Sequence, residues 1–110
     1  MIARMNRADG APGHVEGLIR VFHEVGLPAC QMVAGFRGSL LLVDRVTGRW
    51  ADVTLWESEA ARVEAFALAE DRIAVGDADL RQLSATIHEG VVGHTYEVAA
   101  EGWPRGVPRP

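Results

Sequence analysis

The stretch Ser39-Leu40-Leu41-Leu42-Val43-Asp44-Arg45-Val46-Thr47-Gly48-Arg49-Trp50-Ala51-Asp52-Val53-Thr54-Leu55-Trp56 decides the fold. Its unbroken apolar run over 40–43 reads as a strand covered on both faces. Gly48 can take the positive φ that a short hairpin link needs, so residues 50–56 return beside the first strand. Alternation along the return strand sends Ala51, Val53 and Leu55 to one face and Trp50, Asp52, Thr54 and Trp56 to the other. One face therefore mixes aromatic rings with polar groups.

Upstream, residues 1–7 alternate loosely between apolar and polar, and Asp9-Gly10-Ala11-Pro12-Gly13 follows as a loop. Val15, Leu18, Ile19, Phe22 and Val25 fall at helical spacing on one face, and Gly26 and Pro28 are expected to stop that helix. Residues 29–34 read as a further short helical piece before Gly35-Phe36-Arg37-Gly38. Downstream, Ser58 is an N-cap candidate with Glu57 and Glu59 beside it, opening a helix that runs to about Val75 and is expected to bury Val63, Phe66 and Ala67. Gly76 ends it. Residues 78–86 read as a short extra helix and 91–99 as a last strand. The expected organisation is one domain over 1–100 and a Gly/Pro-rich tail over 101–110.

Strand, helix, strand, strand, helix, strand is the split βαβ order of a ferredoxin-like α+β domain, βαββαβ, with both helices on one face of an antiparallel sheet. The other sheet face needs a cover, which two copies packing sheet to sheet would supply. A chain of 110 residues buries only roughly 60 to 70% of its unfolded surface, so a dimer interface would add stability.

Composition narrows the function. With 48% hydrophobic and 24% charged residues the chain is globular, and a net charge of -4 has the wrong sign for a nucleic-acid partner. Every one of the 11 basic residues is arginine, which excludes a lysine Schiff base, a pyridoxal-phosphate anchor and a phosphate-loop lysine. The lone Cys30 allows neither an internal disulfide nor a paired-cysteine zinc site, and a reduced thiol suits a cytoplasmic setting. No apolar run approaches a membrane span, so no membrane partner is expected.

Gly35-Phe36-Arg37-Gly38, Asp44 and Gly48 around the hairpin, and Val53-Thr54-Leu55-Trp56-Glu57-Ser58 together resemble the antibiotic-biosynthesis monooxygenase family of dimeric α/β-barrel proteins. The resemblance implies a homodimer with a mostly apolar pocket between sheet and helices, and it implies cofactor-independent oxidation of an aromatic or enolisable small molecule. In the family's quinone-forming oxygenases an asparagine, a strand tryptophan, a tyrosine and a helical arginine line that pocket. Trp56 matches the tryptophan and Arg81 resembles the arginine, whereas Asp52 stands for the asparagine and Arg62 for the tyrosine. Asn6 resembles the first-strand asparagine of haem-degrading members. The tryptophan and histidine those members need fall at about Ala65 and Val75, so no haem is implied.

On this reading Asp52 or His94 is the base, and Trp56 and Arg81 orient and stabilise the substrate. Asn6, Thr54, Phe66 and Tyr96 contribute to binding. His94 and Tyr96 share one face of the last strand, where they line either a pocket or a dimer interface. His88, beside Glu89-Gly90, reads as a turn residue. His14 and His23 are nine residues apart and face opposite sides of one helix, so no metal site is expected. The reading from another class is a non-catalytic dimeric barrel that binds a small apolar metabolite or serves as an accessory subunit.

Overall fold

The hairpin read from the sequence is present in the computed structural model, which describes residues 1–106 and 108. Strand β2 (Phe36–Val43) turns at Asp44, whose carboxylate accepts from the backbone N–H groups of Val46 at 2.9 Å and Thr47 at 3.3 Å. Gly48 has φ 80°, and a Cβ there would lie 2.1 Å from the Ala11 carbonyl carbon, so both conformation and space demand glycine. The chain returns as β3 (Trp50–Trp56). Strands β1 (Ile2–Ala8) and β4 (Val92–Glu97) complete an antiparallel sheet in the order β2-β3-β1-β4. This is the ferredoxin-like α+β arrangement expected from the element order.

The first helical arm departs from expectation. It runs as α1 (Val15–Val21), a π-helical segment (Phe22–Gly26) and α2 (Leu27–Gln31), so Gly26 and Pro28 do not end it. The Leu27 N–H reaches back five residues to the Phe22 carbonyl, and Pro28 occupies the first turn of α2. Proline leaves the Glu24 carbonyl without its helical donor. The Arg72 guanidinium supplies the missing bonds at 3.2 and 3.4 Å.

Helix α3 (Glu59–Ala74) starts where expected, with the Ser58 hydroxyl accepting from the Ala61 N–H at 3.2 Å. Its buried face is different. Ala61 and Ala65 are buried, while Val63 and Phe66 are 50% and 57% exposed and Ala67 is exposed too. Small side chains let the helix lie close to the chain entering β2, where a Cβ on Gly35 would sit 2.7 Å from the Ala61 Cβ. Helix α4 (Ala78–His88) is capped by Asp77, whose carboxylate accepts from the Leu80 N–H at 2.7 Å, and it extends past the expected end to include His88. The last strand is shorter than the expected 91–99. Of the tail expected over 101–110, residues 107, 109 and 110 lie outside the described residues.

Two apolar clusters hold the helices to the sheet. Trp50, at one end of β3, packs with Leu18, Val21, Val25, Leu80 and Ile87, and Trp56, at the other end, packs with Val33, Ala61 and Ala65. Asp52 and Thr54 lie between them on the same face. On the opposite face Leu40 and Leu42 are 63% and 51% exposed, joined by Met5, Val92 and Tyr96. The strand expected to be covered on both faces is thus covered on one within the chain, because every helix packs on the side of Leu41 and Val43. Among the described residues no helix is long and apolar enough to cross a membrane.

Candidate active site

The gap between the two tryptophans is a cavity of about 330 Å³ whose sheet-side lining includes Arg4, Asn6, Asp52, Thr54 and Trp56 and whose helix-side lining includes Arg62, Ala65, Phe66 and His88. A second cavity of about 570 Å³ shares Phe22, Trp50, Asp52, Phe66 and His88 and extends toward Leu18 and Ile73. Both fall within the usual size of small-molecule sites, roughly 300–1,000 Å³, and both combine apolar walls with a few converging polar groups.

A hydrogen-bonded row crosses three strands on the cavity floor. Arg4 Nη1 donates to Thr95 Oγ1 at 3.1 Å, Arg4 Nε donates to Asn6 Oδ1 at 3.3 Å, and Asn6 Nδ2 donates to Asp52 Oδ1 at 3.0 Å. The register makes the row possible, because Thr95 lies opposite Arg4 and Asn6 lies opposite both Gly93 and Asp52. At Gly93 a Cβ would lie 2.3 Å from Arg4 Nη2 and 2.5 Å from Asn6 Oδ1, so the missing side chain is what lets the guanidinium lie across β4.

Burial pushes the Asp52 carboxyl above its ordinary value, and the Asn6 hydrogen bond and the charges of His88 and Arg4 pull against that shift. A carboxyl raised in this way is, once ionised, a stronger base than an ordinary surface carboxylate. His88 Nδ1 lies 2.7 Å from the Ser84 carbonyl oxygen and 3.2 Å from the Ser84 hydroxyl. A carbonyl only accepts, so Nδ1 carries a proton and, in the neutral ring, Nε2 is left as an acceptor. Burial also pushes the Cys30 thiol up to about 11, which keeps it protonated beside Asp52. Among the described residues no three His, Cys, Asp or Glu side chains come together as a metal-holding group.

The structure brings Asn6, Asp52, Thr54, Trp56 and Phe66 together at one cavity. Phe66 forms its exposed lip. Trp56 is buried and tilted against Phe36 with ring centroids 5.2 Å apart, and its indole N–H donates to Thr54 Oγ1 at 2.7 Å. That N–H is thus already engaged within the chain. Three other candidates stand outside the cavity. Arg81 is exposed on α4 and donates to the Gly76 carbonyl at 2.5 Å, outside both cavities. His94 and Tyr96 stand on the opposite sheet face, since alternation along β4 gives Gly93 and Thr95 to the cavity side. Arg4 and His88 line the cavity although the sequence reading did not assign them to it, and Arg62, which stands for the family's tyrosine, lines it as well. Arg4 and Asn6 are two apart on one strand and so share a face, which is the signal that points to Arg4.

No protein-family model and no curated protein sequence matches the chain. Solved structures do match, and in fold the chain is similar to monooxygenases of the antibiotic-biosynthesis type. A monooxygenase from the gene ActVA-Orf6 of Streptomyces coelicolor, in complex with the ligand nanaomycin D, superposes with a TM-score of 0.65 at 19% identity over 94% of this chain and 90% of that one. SnoaB, a cofactor-independent oxygenase from Streptomyces nogalater, gives 0.54 at 17% identity over 94% and 96%. An antibiotic biosynthesis monooxygenase gives 0.63 at 13% identity over 91% and 100%. At these identities the likeness is one of fold.

Proposed function

We propose that the chain is a cofactor-independent monooxygenase acting on an aromatic or enolisable small molecule, and that the cavity between Trp50 and Trp56 is its active site. The observation that carries this reading is Asp52, a largely buried carboxyl raised by desolvation and oriented by Asn6 in a cavity with aromatic walls. Asp52 takes a proton from an activated C–H of the substrate, and the charge spreads into the adjoining carbonyl or phenol system. Arg4 stabilises that charge. The carbanion gives its electrons to dioxygen, a C–O bond forms, and the resulting peroxide is protonated and loses water. The net change is a methylene plus O₂ to a carbonyl plus water, with no electron source beyond the substrate. One structural neighbour, SnoaB, is likewise a cofactor-independent oxygenase.

The uncovered apolar face of the sheet supports a homodimer joined sheet to sheet. The single thiol, Cys30, supports a cytoplasmic setting. A second reading is a non-catalytic barrel that binds a small apolar metabolite or acts as an accessory subunit. What favours it is that Arg81 and His94 stand outside the cavity and the Trp56 N–H is spent on Thr54. Oxygen uptake with an anthrone-like substrate separates the two. The oxygenase consumes O₂ stoichiometrically with quinone formed and loses about a hundredfold or more of its rate in Asp52→Asn. No uptake across a panel of such compounds leaves the binding barrel.

A further inference from the structure

We propose that the cavity selects a ligand carrying a carboxylate on an aromatic body, with the carboxylate held by Arg4 and Arg62. The inference takes the cavity between the tryptophans as the functional site. Arg4 lines that cavity, is only partly exposed, and spends its hydrogen bonds on the neutral side chains of Asn6 and Thr95. Among the described residues no carboxylate stands within ion-pair range of it, in contrast to Arg20, Arg37, Arg45, Arg49 and Arg62. A guanidinium partly shielded from bulk water and hydrogen-bonded only to neutral acceptors favours an anion from outside the chain.

Two further observations bear on that anion. Arg4 Nη2, which lies across Gly93, makes no hydrogen bond among the described residues, whereas Nε and Nη1 are engaged. Arg62 enters from α3 with its side chain 20% exposed, and it pairs with Glu59 through Nε and Nη2, leaving Nη1 outside that pair. Arg4 on the sheet side and Arg62 on the helix side line the same cavity. Trp56, Ala65 and Phe66 supply the apolar wall beside them. A planar acid fits this division, its carboxylate at the arginines and its ring against the wall. Asp52, on the same floor, repels a second anionic group and fixes which end of the ligand points to the arginines.

The experiment is calorimetric titration of the full chain with 2-naphthoate and with its neutral analogue 2-naphthamide at pH 7 and low ionic strength. Naphthoate is expected to bind about tenfold or more tightly than the amide, since a hydrogen bond to a charged group is worth that much. Added salt should shrink the preference. Arg4→Gln and Arg62→Gln should each reduce it, and Arg45→Gln, at an exposed ion pair with Glu16, should not. Should Arg4→Gln fail to fold, the wild-type ratio, its salt dependence and Arg62→Gln still give the answer. Equal affinity for acid and amide, no saturable binding of the acid, or a preference untouched by both cavity arginines overturns the proposal. Because the readout is binding, absent oxygen uptake ends the oxygenase reading without deciding carboxylate selectivity, and equal binding ends the selectivity without deciding turnover.

Discussion

Asn6 stands directly across the β1–β3 ladder from Asp52 and donates its amide nitrogen to the Asp52 carboxylate at 3.0 Å. Its orientation is fixed from both sides, because the Arg4 guanidinium can only donate and an ionised Asp52 only accepts. Asn6→Ala removes the donor and leaves a buried acceptor, for an expected loss of about 1–3 kcal/mol. The same change should drive the Asp52 carboxyl higher. Chemical denaturation measures the first effect, and an upward move of the acidic limb of the pH-rate profile measures the second.

Asp52 sets a pH dependence of stability. Its folded value lies above the ordinary carboxylate value, so the native state binds the proton more tightly than the unfolded chain and stability falls as pH rises through the window between the two values. Below the ordinary value both states are protonated and the penalty vanishes. Asp52→Asn should therefore melt higher than wild type at pH 7, with the difference closing by about pH 3, below the ordinary carboxylate value. A melting-temperature difference that stays constant over that range would contradict the assignment.

Gly93→Ala tests the floor by steric means. Gly93 has no positive φ, so the backbone accepts alanine, but the added methyl falls on Arg4 Nη2 and Asn6 Oδ1. The guanidinium must move and the row from Thr95 to Asp52 must break. The expected outcome is a folded protein, less stable by roughly 1–3 kcal/mol, with ligand affinity reduced as in Arg4→Gln.

Trp56→Phe keeps an aromatic ring against Phe36 but loses volume and the bond to Thr54. Because the residue is buried, the loss should be about 1–3 kcal/mol. Thr54→Val removes the same hydrogen bond while leaving the indole in place. If substrate turnover falls in both variants, the orientation of the indole matters to the cavity; if it falls only in Trp56→Phe, the ring area does.

Leu40→Glu with Leu42→Glu places two charges on the uncovered sheet face. Sedimentation should show wild type at twice the monomer mass and the double variant at one. A wild-type monomer at micromolar concentration removes the sheet-to-sheet arrangement.

The hairpin over 36–56, the Ser58 cap and the division of β3 into two unlike faces were legible in the sequence because each follows from local rules: a turn glycine, an N-cap hydroxyl and a period of two. The continuation past Pro28 was not legible, since the donor that repairs the Glu24 carbonyl is Arg72, on another helix. The buried face of α3 was misread for a related reason. Apolar spacing favoured Val63 and Phe66, whereas close approach to Gly35 selects Ala61 and Ala65. In the site, Asn6, Asp52, Thr54 and Trp56 could be grouped from strand pairing. Arg4 joins them by the same period of two along β1, and His88 only once the true end of α4 is known.

The Arg72 bond to the Glu24 carbonyl ties the cavity's width to a place outside it. Phe22 and Gly26 form one wall, and they belong to the π-helical segment where the arm's own ladder is interrupted at Pro28. The far end of α3 thus bonds to the segment that forms this wall, while the near end of the same helix carries Arg62 and Phe66. One rigid rod spans both walls like a caliper. Sequence change at its tail can resize the opening while every residue that would meet a ligand stays the same.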